Sequence, residues 1–378
     1  MRKHLFKFWL IAVIIQFLLI VNVPTSKAGG IINRIPRAFT AAATPTGDGY
    51  TEVNATAFSP TGTVDQFNDY DLYTNQSIPK GAVVEILVAN SDATVEYYGG
   101  VCSDGQSALA RKIQLAKKDG STAGQLQCVR MITTCHSSTG KIEIYAENNT
   151  AISFEILGYW EGITFTERFD LITGITSGTD NMFTDVNLNT LFSTPVSRVY
   201  DIANGTFAAV KYYSGVRANG SSLDRRIDMG QAVGGGGNVT NWTVKADASG
   251  IIEVWLGNYL NCKAYSLGYF DATVDYQEAF DLVTPGSDDT WTSTDMTAYV
   301  TSPLQIEILF DVDYDGGYVG GRGGDSASTT RKVELSGLPA AGQHYSTTFN
   351  SIPDTDDVIY LYGLDVSDCQ FYHIGYFK

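Results

Sequence analysis

Apolar and polar positions come in short bursts along this chain, and the bursts return in the same order three times. Val83-Val84-Glu85-Ile86-Leu87-Val88 and Leu304-Gln305-Ile306-Glu307-Ile308-Leu309-Phe310 are brief runs rich in β-branched residues. Period-two alternation marks Ile142 to Tyr145 and Ile359 to Tyr362, the spacing of a half-buried strand. Turn signals such as Asp119-Gly120, Asn204-Gly205, Asn219-Gly220 and Asp315-Gly316-Gly317 separate the runs. No stretch sustains a 3.6-residue apolar period. The pattern predicts an all-β chain of antiparallel sandwiches.

Five landmarks recur in one order. A strand-like stretch comes first: Val53 to Phe58, Phe165 to Phe169, Tyr276 to Phe280. An aromatic then stands twelve residues before a proline: Phe67 to Pro79, Phe183 to Pro195, Trp291 to Pro303. Inside that interval lies Asp71-Leu72, Asn187-Leu188 or Asp295-Met296. A basic pair follows a Gly-rich segment: Arg111-Lys112, Arg225-Arg226, Arg331-Lys332. After a late strand, ending in Tyr145, Trp255 or Tyr362, each unit closes on Gly158-Tyr159-Trp160, Gly268-Tyr269-Phe270 or Gly375-Tyr376-Phe377, at spacings of 110 and 107. The units fall at 47–160, 161–270 and 271–378, with 29–46 left as an N-terminal arm or linker. Each has room for seven to nine strands, so a jelly roll and an immunoglobulin-like sandwich both fit. Short linkers predict a stiff rod of three. Glycine before the closing aromatics predicts a close backbone approach or a bulge. One closing aromatic should enter the core and the other should point outward or to a neighbour.

Residues 1–28 read as a signal peptide. Arg2, Lys3 and Lys7 precede an apolar run from Phe8 to Val21, and Ser26-Lys27-Ala28 offers a cleavage site. The run is too short to span a bilayer, and no later run is longer. The whole chain carries a formal charge of −16, and removing the segment leaves 21 basic residues against 41 acidic, a net −20. That balance argues against nucleic-acid binding. A secreted, extracellular or cell-surface protein is expected.

Five cysteines in an exported chain suggest disulfides. Two of Cys102, Cys128 and Cys135 could bridge, with Cys128 and Cys135 spaced like two arms of a hairpin. Cys262 and Cys369 are equivalent and are candidates for intermolecular pairing or for buried thiols.

Catalytic patterns are sparse. The mature chain has three histidines, His136, His344 and His373, none with a second His at metal-ligand spacing. There is no G-x-S-x-G and no P-loop; Gly324-Asp325-Ser326 stands alone. Glu143 and Glu253 share a repeat position that unit three fills with Tyr360, which fits solvent-facing strand residues better than a glycosidase pair. No enzyme activity and no cofactor are expected, apart from a candidate Ca²⁺ cluster at Asp311, Asp313 and Asp315. Arg111, Arg225 and Arg331 are expected to lock onto a carboxylate, or else to make a subunit or ligand contact. Seven glycosylation sequons begin at Asn54, Asn75, Asn148, Asn204, Asn219, Asn238 and Asn241.

Together these features point to a self-associating structural or adhesive protein, a fibre, sheath or appendage subunit with itself as partner in a homo-oligomer or polymer. The arm, apolar from Gly29 to Phe39 apart from Asn33, Arg34 and Arg37, could donate a strand to another subunit. The alternative is a tandem glycan-binding array using Trp160, Trp242, Trp255 or Trp291 against surface glycans, and a glycoside hydrolase comes last.

Overall fold

The computed structural model describes residues 49–60, 62–117, 127–230, 236–301, 303–313, 317–326, 328–335, 344–365, 367 and 369–378. The signal segment and the arm lie outside them.

The first repeat contributes β1 (Tyr50–Phe58), β2 (Phe67–Asp71), β3 (Val83–Asn90), β4 (Tyr97–Ser103), β5 (Lys112–Leu115), β6 (Gln127–Thr134), β7 (Lys141–Ala146) and β8 (Ile152–Trp160). The second holds β9 (Phe165–Leu171), β10 (Phe183–Asn187), β11 (Val199–Thr206), β12 (Tyr212–Ala218), β13 (Arg226–Met229), β14 (Asn238–Lys245), β15 (Ile251–Leu256) and β16 (Cys262–Phe270). The third holds β17 (Tyr276–Val283), β18 (Thr290–Asp295), β19 (Gln305–Asp313), β20 (Gly317–Gly323), β21 (Lys332–Leu335), β22 (His344–Ser351), β23 (Val358–Gly363) and β24 (Cys369–Phe377). In the first repeat the sheets run β1-β8-β3-β6 and β2-β7-β4-β5, and the other two repeats reproduce this order. That interleaving of two antiparallel four-stranded sheets is a jelly roll, so of the two sandwiches the pattern allowed, this one is formed.

The Asp71, Asn187 and Asp295 landmark is a cap. Asp71 and Asn187 accept a hydrogen bond at 2.8 Å from Thr74 N and Thr190 N, starting the short helices α1 (Leu72–Gln76) and α2 (Leu188–Phe192). Asp295 accepts from Thr297 N at 2.9 Å. Hydrogen bonds from Thr74 and Thr297 hold the Asp71 and Asp295 carboxyls below their ordinary range. The next residue, Leu72, Leu188 or Met296, is buried as an anchor.

The closing glycine is a bulge, as expected. Gly158 stands opposite both Glu52 and Glu85, and the next pair along β3 and β8 is Ile86 with Ile156, so Leu157 is extra. Gly268 repeats this between Glu167 and Asp201, extruding Leu267, and Gly375 between Glu278 and Glu307, extruding Ile374. The extruded residues pack into other jelly rolls. Leu157 lies in the core of the third, Leu267 in that of the first and Ile374 in that of the second. The tyrosine after each glycine packs into its own core. The last aromatics Trp160, Phe270 and Phe377 meet one another, with centroids 5.5, 5.7 and 6.4 Å apart.

The expected rod is therefore not formed. The third jelly roll packs back on the first, and β6, β14 and β22 each touch the other two. The repeats surround a pseudo-threefold axis because each core is completed by a neighbour's bulge. A rod would leave one bulge and one gap uncovered at its ends.

Gly268 and Gly375 have φ of +152° and +157°, and an added Cβ would stand 2.4 Å from Phe165 Cζ and 2.1 Å from Tyr276 Oη. Gly375→Ala should therefore lower stability by about 1–3 kcal/mol through overpacking, read as a drop in the urea midpoint. An unchanged midpoint would remove the bulge from the account.

Candidate functional site

The residues that recur most faithfully converge on contacts between repeats. Arg111, Arg225 and Arg331 are fully buried. Each meets a carboxylate, as the sequence suggested, but the carboxylate belongs to the next jelly roll. Arg111 faces Glu167 at 3.4 Å, Arg225 faces Glu278 at 2.6 Å, and Arg331 faces Glu52 at 2.9 Å. The cycle runs first to second to third to first and closes. The same carboxylates accept backbone N–H groups from the neighbour: Ser103 at 3.0 Å, Ala218 at 2.8 Å and Ile352 at 2.8 Å. Arg111 and Arg225 also donate to the carbonyls of the bulge residues Leu267 and Ile374, each at 2.9 Å. Carbonyls and a carboxylate thus replace the water these guanidiniums lose.

At the axis stands a second set. Glu85, Asp201 and Glu307 hold equivalent places in β3, β11 and β19, and all three reach Arg130 of β6. The distances are 3.5, 3.0 and 2.5 Å, with all four side chains at 0% exposure. Arg130 has no basic counterpart, since register places Asn241 and Thr348 at its positions in β14 and β22. Burial alone would lower the guanidinium's pKa, but the three carboxylates outweigh it and hold the charge in place. Burial pushes the Glu85 and Asp201 carboxyls up, against the pull of Arg130. Tyr276 donates to Glu307 at 2.7 Å, Tyr50 donates to Glu85, and Asn350 donates to Glu85 at 2.8 Å. The rings of Tyr50 and Tyr276 belong to the aromatic cluster of Trp160, Phe270 and Phe377, so the apolar and polar parts of the axis are joined.

The second member of each basic pair faces outward. Lys112, Arg226 and Lys332 lie 3.9, 4.0 and 4.0 Å from the ring centroids of Tyr145, Trp255 and Tyr362. Those rings pack on Phe67, Phe183 and Trp291 at 5.3, 5.2 and 5.5 Å. Between ring and cation, β4, β12 and β20 carry Gly100, Gly215 and Gly320. A Cβ on these glycines would come within 2.0, 2.1 and 2.3 Å of the Arg111, Arg225 and Arg331 carbonyl oxygens. The row recurs on the outer sheet of every jelly roll.

Other expectations fare differently. All five cysteines are buried thiols, with no disulfide among them. Cys128 and Cys135 are not two arms of a hairpin. Cys128 lies near the start of β6 and Cys135 just past its end, and seven residues of extended strand span about 23 Å, beyond the reach of a disulfide. Burial pushes the thiols of Cys128 and Cys135 up to about 12 and that of Cys262 up to about 11. Glu253 is not solvent-facing but buried against Arg217, while Glu143 lies 3.5 Å from Cys102 Sγ. Asp311 is buried and meets His344 Nδ1 at 3.0 Å; the side chain of Asp313 and all of Asp315 lie outside the described residues. Among the described residues no His, Cys, Asp and Glu group could hold a metal ion. Trp160 and Trp242 are buried, and Arg226 and Arg322 cover Trp255 and Trp291, so none offers a bare platform for a sugar ring. Three sequon asparagines, Asn204, Asn238 and Asn241, are buried, which removes them as acceptors in the folded chain.

The sequence reading missed the acids of both sets. Glu52, Glu167 and Glu278 follow an aromatic by two places in Tyr50-Thr51-Glu52, Phe165-Thr166-Glu167 and Tyr276-Gln277-Glu278. Glu85, Asp201 and Glu307 are themselves buried, in strands buried along nearly their whole length, and in β3 and β19 the acid breaks an apolar run, which was the available signal.

No protein-family model matches the chain, and no curated protein matches it. Among solved structures it is similar to a chain from the triple jelly roll fold and turret assembly in an archaeal virus. The identity is 9% and the TM-score 0.20, with 88% of this chain and 89% of that chain covered. It is also similar to a chain from the atomic structure of Sulfolobus turreted icosahedral virus, at 9% identity and a TM-score of 0.18, covering 87% of this chain and 90% of that one. The jelly-roll assignment rests on strand order.

Arg130→Met should cost about 3–5 kcal/mol, because it leaves buried carboxylates without their cation. Lys141→Ala, at the exposed Lys141–Asp69 pair, should leave stability almost unchanged, because solvent screens that pair. Denaturant midpoints compare the two, and equal losses would contradict the hub. A thiol reagent should label none of the cysteines in the native chain and all five after unfolding. A disulfide found by mass spectrometry would refute the buried-thiol assignment.

Proposed function

We propose that the chain is an exported structural subunit, a one-chain counterpart of a jelly-roll trimer that self-associates further into a surface fibre, sheath or appendage. What carries this reading is the closed cycle of Arg–Glu contacts and exchanged bulges. Heterologous, head-to-tail interfaces that close into a ring build cyclic oligomers from identical subunits in the same way. Here three copies are tied in one chain, so the body is complete without a partner and each copy has diverged. Nearly every feature that recurs holds the three jelly rolls together or stiffens an outer sheet. The reading gives the chain no catalytic role and no resident cofactor. A stiff body with three related outer faces suits repeated attachment, and a mature charge of −20 keeps it dispersed until cations screen it.

Purified chain beginning at Gly29 tests this by sedimentation velocity and negative-stain microscopy. At low concentration and low salt it should sediment as a monomer. At higher concentration with added salt it should form filaments or ordered lattices. Monomers at every concentration and salt level, retained on a glycan array, would favour the glycan-binding reading and contradict this one.

A further inference from the structure

We propose that the axis hub is a proton lock: near neutral pH the carboxyl groups of Glu85 and Asp201, which share Arg130 with Glu307, retain one proton between them, and its loss on the alkaline side loosens the contact among the three jelly rolls. The inference is independent of the proposed assembly.

The geometry sets the charge count. Three carboxyls, one from each jelly roll, enclose a single guanidinium, and none of the four side chains is exposed. Glu85 Oε1 and Glu307 Oε1 both approach the same nitrogen, Arg130 Nη1, at 3.5 and 2.5 Å. Fully ionised, the cluster would bury two excess negative charges. Like charges at such range oppose one another's ionisation.

Among the described residues the surrounding elements do not supply the missing cations. From β1, Tyr50 donates a hydrogen bond to Glu85, while Glu52 pairs with Arg331. From β17, Tyr276 donates to Glu307, while Glu278 pairs with Arg225. From β14 come Asn241, 3.3 Å from Asp201, and Thr243, 2.8 Å from Glu307. From β22 comes Asn350, which donates to Glu85. Arg225 and Arg331 are each already tied to a carboxylate of their own. Both tyrosines keep their protons, since burial pushes them well above their ordinary range. The raised Glu85 and Asp201 carboxyls agree with a retained proton.

The sign follows from linkage. An unfolded carboxyl titrates near pH 4 and has released its proton at neutrality, whereas the folded hub keeps one. Stability is therefore full below about pH 4 and falls as pH rises through the folded titration. Other groups act elsewhere. Acids held low by hydrogen bonds, such as Asp71 and Asp247, lose their contribution only in acid. His373, lowered to about 4 by burial, adds stability as pH rises and levels off near 7. The buried thiols, which ionise only in the unfolded chain, begin to lower stability about one pH unit below their free value of about 8.5. Near pH 7 the thiols are still protonated in both states, so the hub is read there and by difference from a variant that keeps the same thiols.

Calorimetric unfolding of the full mature chain in buffers of different ionisation enthalpy counts the protons. The wild type should release about one proton beyond the double variant Glu85→Gln/Asp201→Asn, which leaves Arg130 and Glu307 as a one-to-one pair. Between pH 7 and 8 the wild-type Tm should fall relative to the variant's, both chains sharing the same thiols and His373. Equal proton counts, or a Tm difference that is independent of pH over that interval, would overturn the proposal. If the double variant does not fold, the wild-type proton count at pH 7 decides, because the thiols are protonated in both states there. Net release at pH 7 supports the lock, and no release or net uptake refutes it.

Discussion

A buried guanidinium tolerates its loss of water only if a carboxylate and carbonyl oxygens take the water's place. Among the described residues four arginines are buried between jelly rolls, and the carboxylates of Arg111, Arg225 and Arg331 come from a different repeat in every case. Separating any two jelly rolls would break one of these ion pairs and take the neighbour's carboxylate away from its arginine. The same contact exposes a bulge residue and opens a gap in the neighbour's core. Charge burial and apolar packing therefore enforce one arrangement, and the closing glycine serves both. It sits in register between the acid that reaches the neighbour's arginine and the acid that reaches the axis.

The pseudo-symmetry is broken where exact symmetry would fail. Three acids on an axis need a cation, but three arginines would crowd one another, and only β6 supplies one. The second repeat is trimmed to match. It carries Asp201 where the others carry glutamate, and Phe165 where the others carry Tyr50 and Tyr276, so the shorter acid coincides with the missing phenol. A chain with three tethered copies can make such local compensations, which identical subunits cannot.

The strands, the threefold repetition and the bulge at Gly158, Gly268 and Gly375 were legible because period, turn residues and glycine act locally. The choice of a jelly roll over an immunoglobulin-like sandwich was not legible, since strand order depends on long-range pairing. Arg111 could be read as bound to a carboxylate. That the carboxylate was Glu167 of the next repeat could not, because a buried ion pair joins positions that sequence spacing does not relate. The rod followed from the short linkers, and it failed because linkers limit distance without fixing direction. The disulfides followed from compartment, but strand geometry places Cys128 near the start of β6 and Cys135 just past its end.

Closure of the three jelly rolls on one another is the claim on which both the structural role and the hub depend. Small-angle X-ray scattering on the chain from Pro45 onward addresses it directly. A closed body of that length should have a radius of gyration of about 20 Å. A value well above that of a compact body, with the long-distance tail of an elongated particle, would mean that the repeats lie in line and that the axis does not exist.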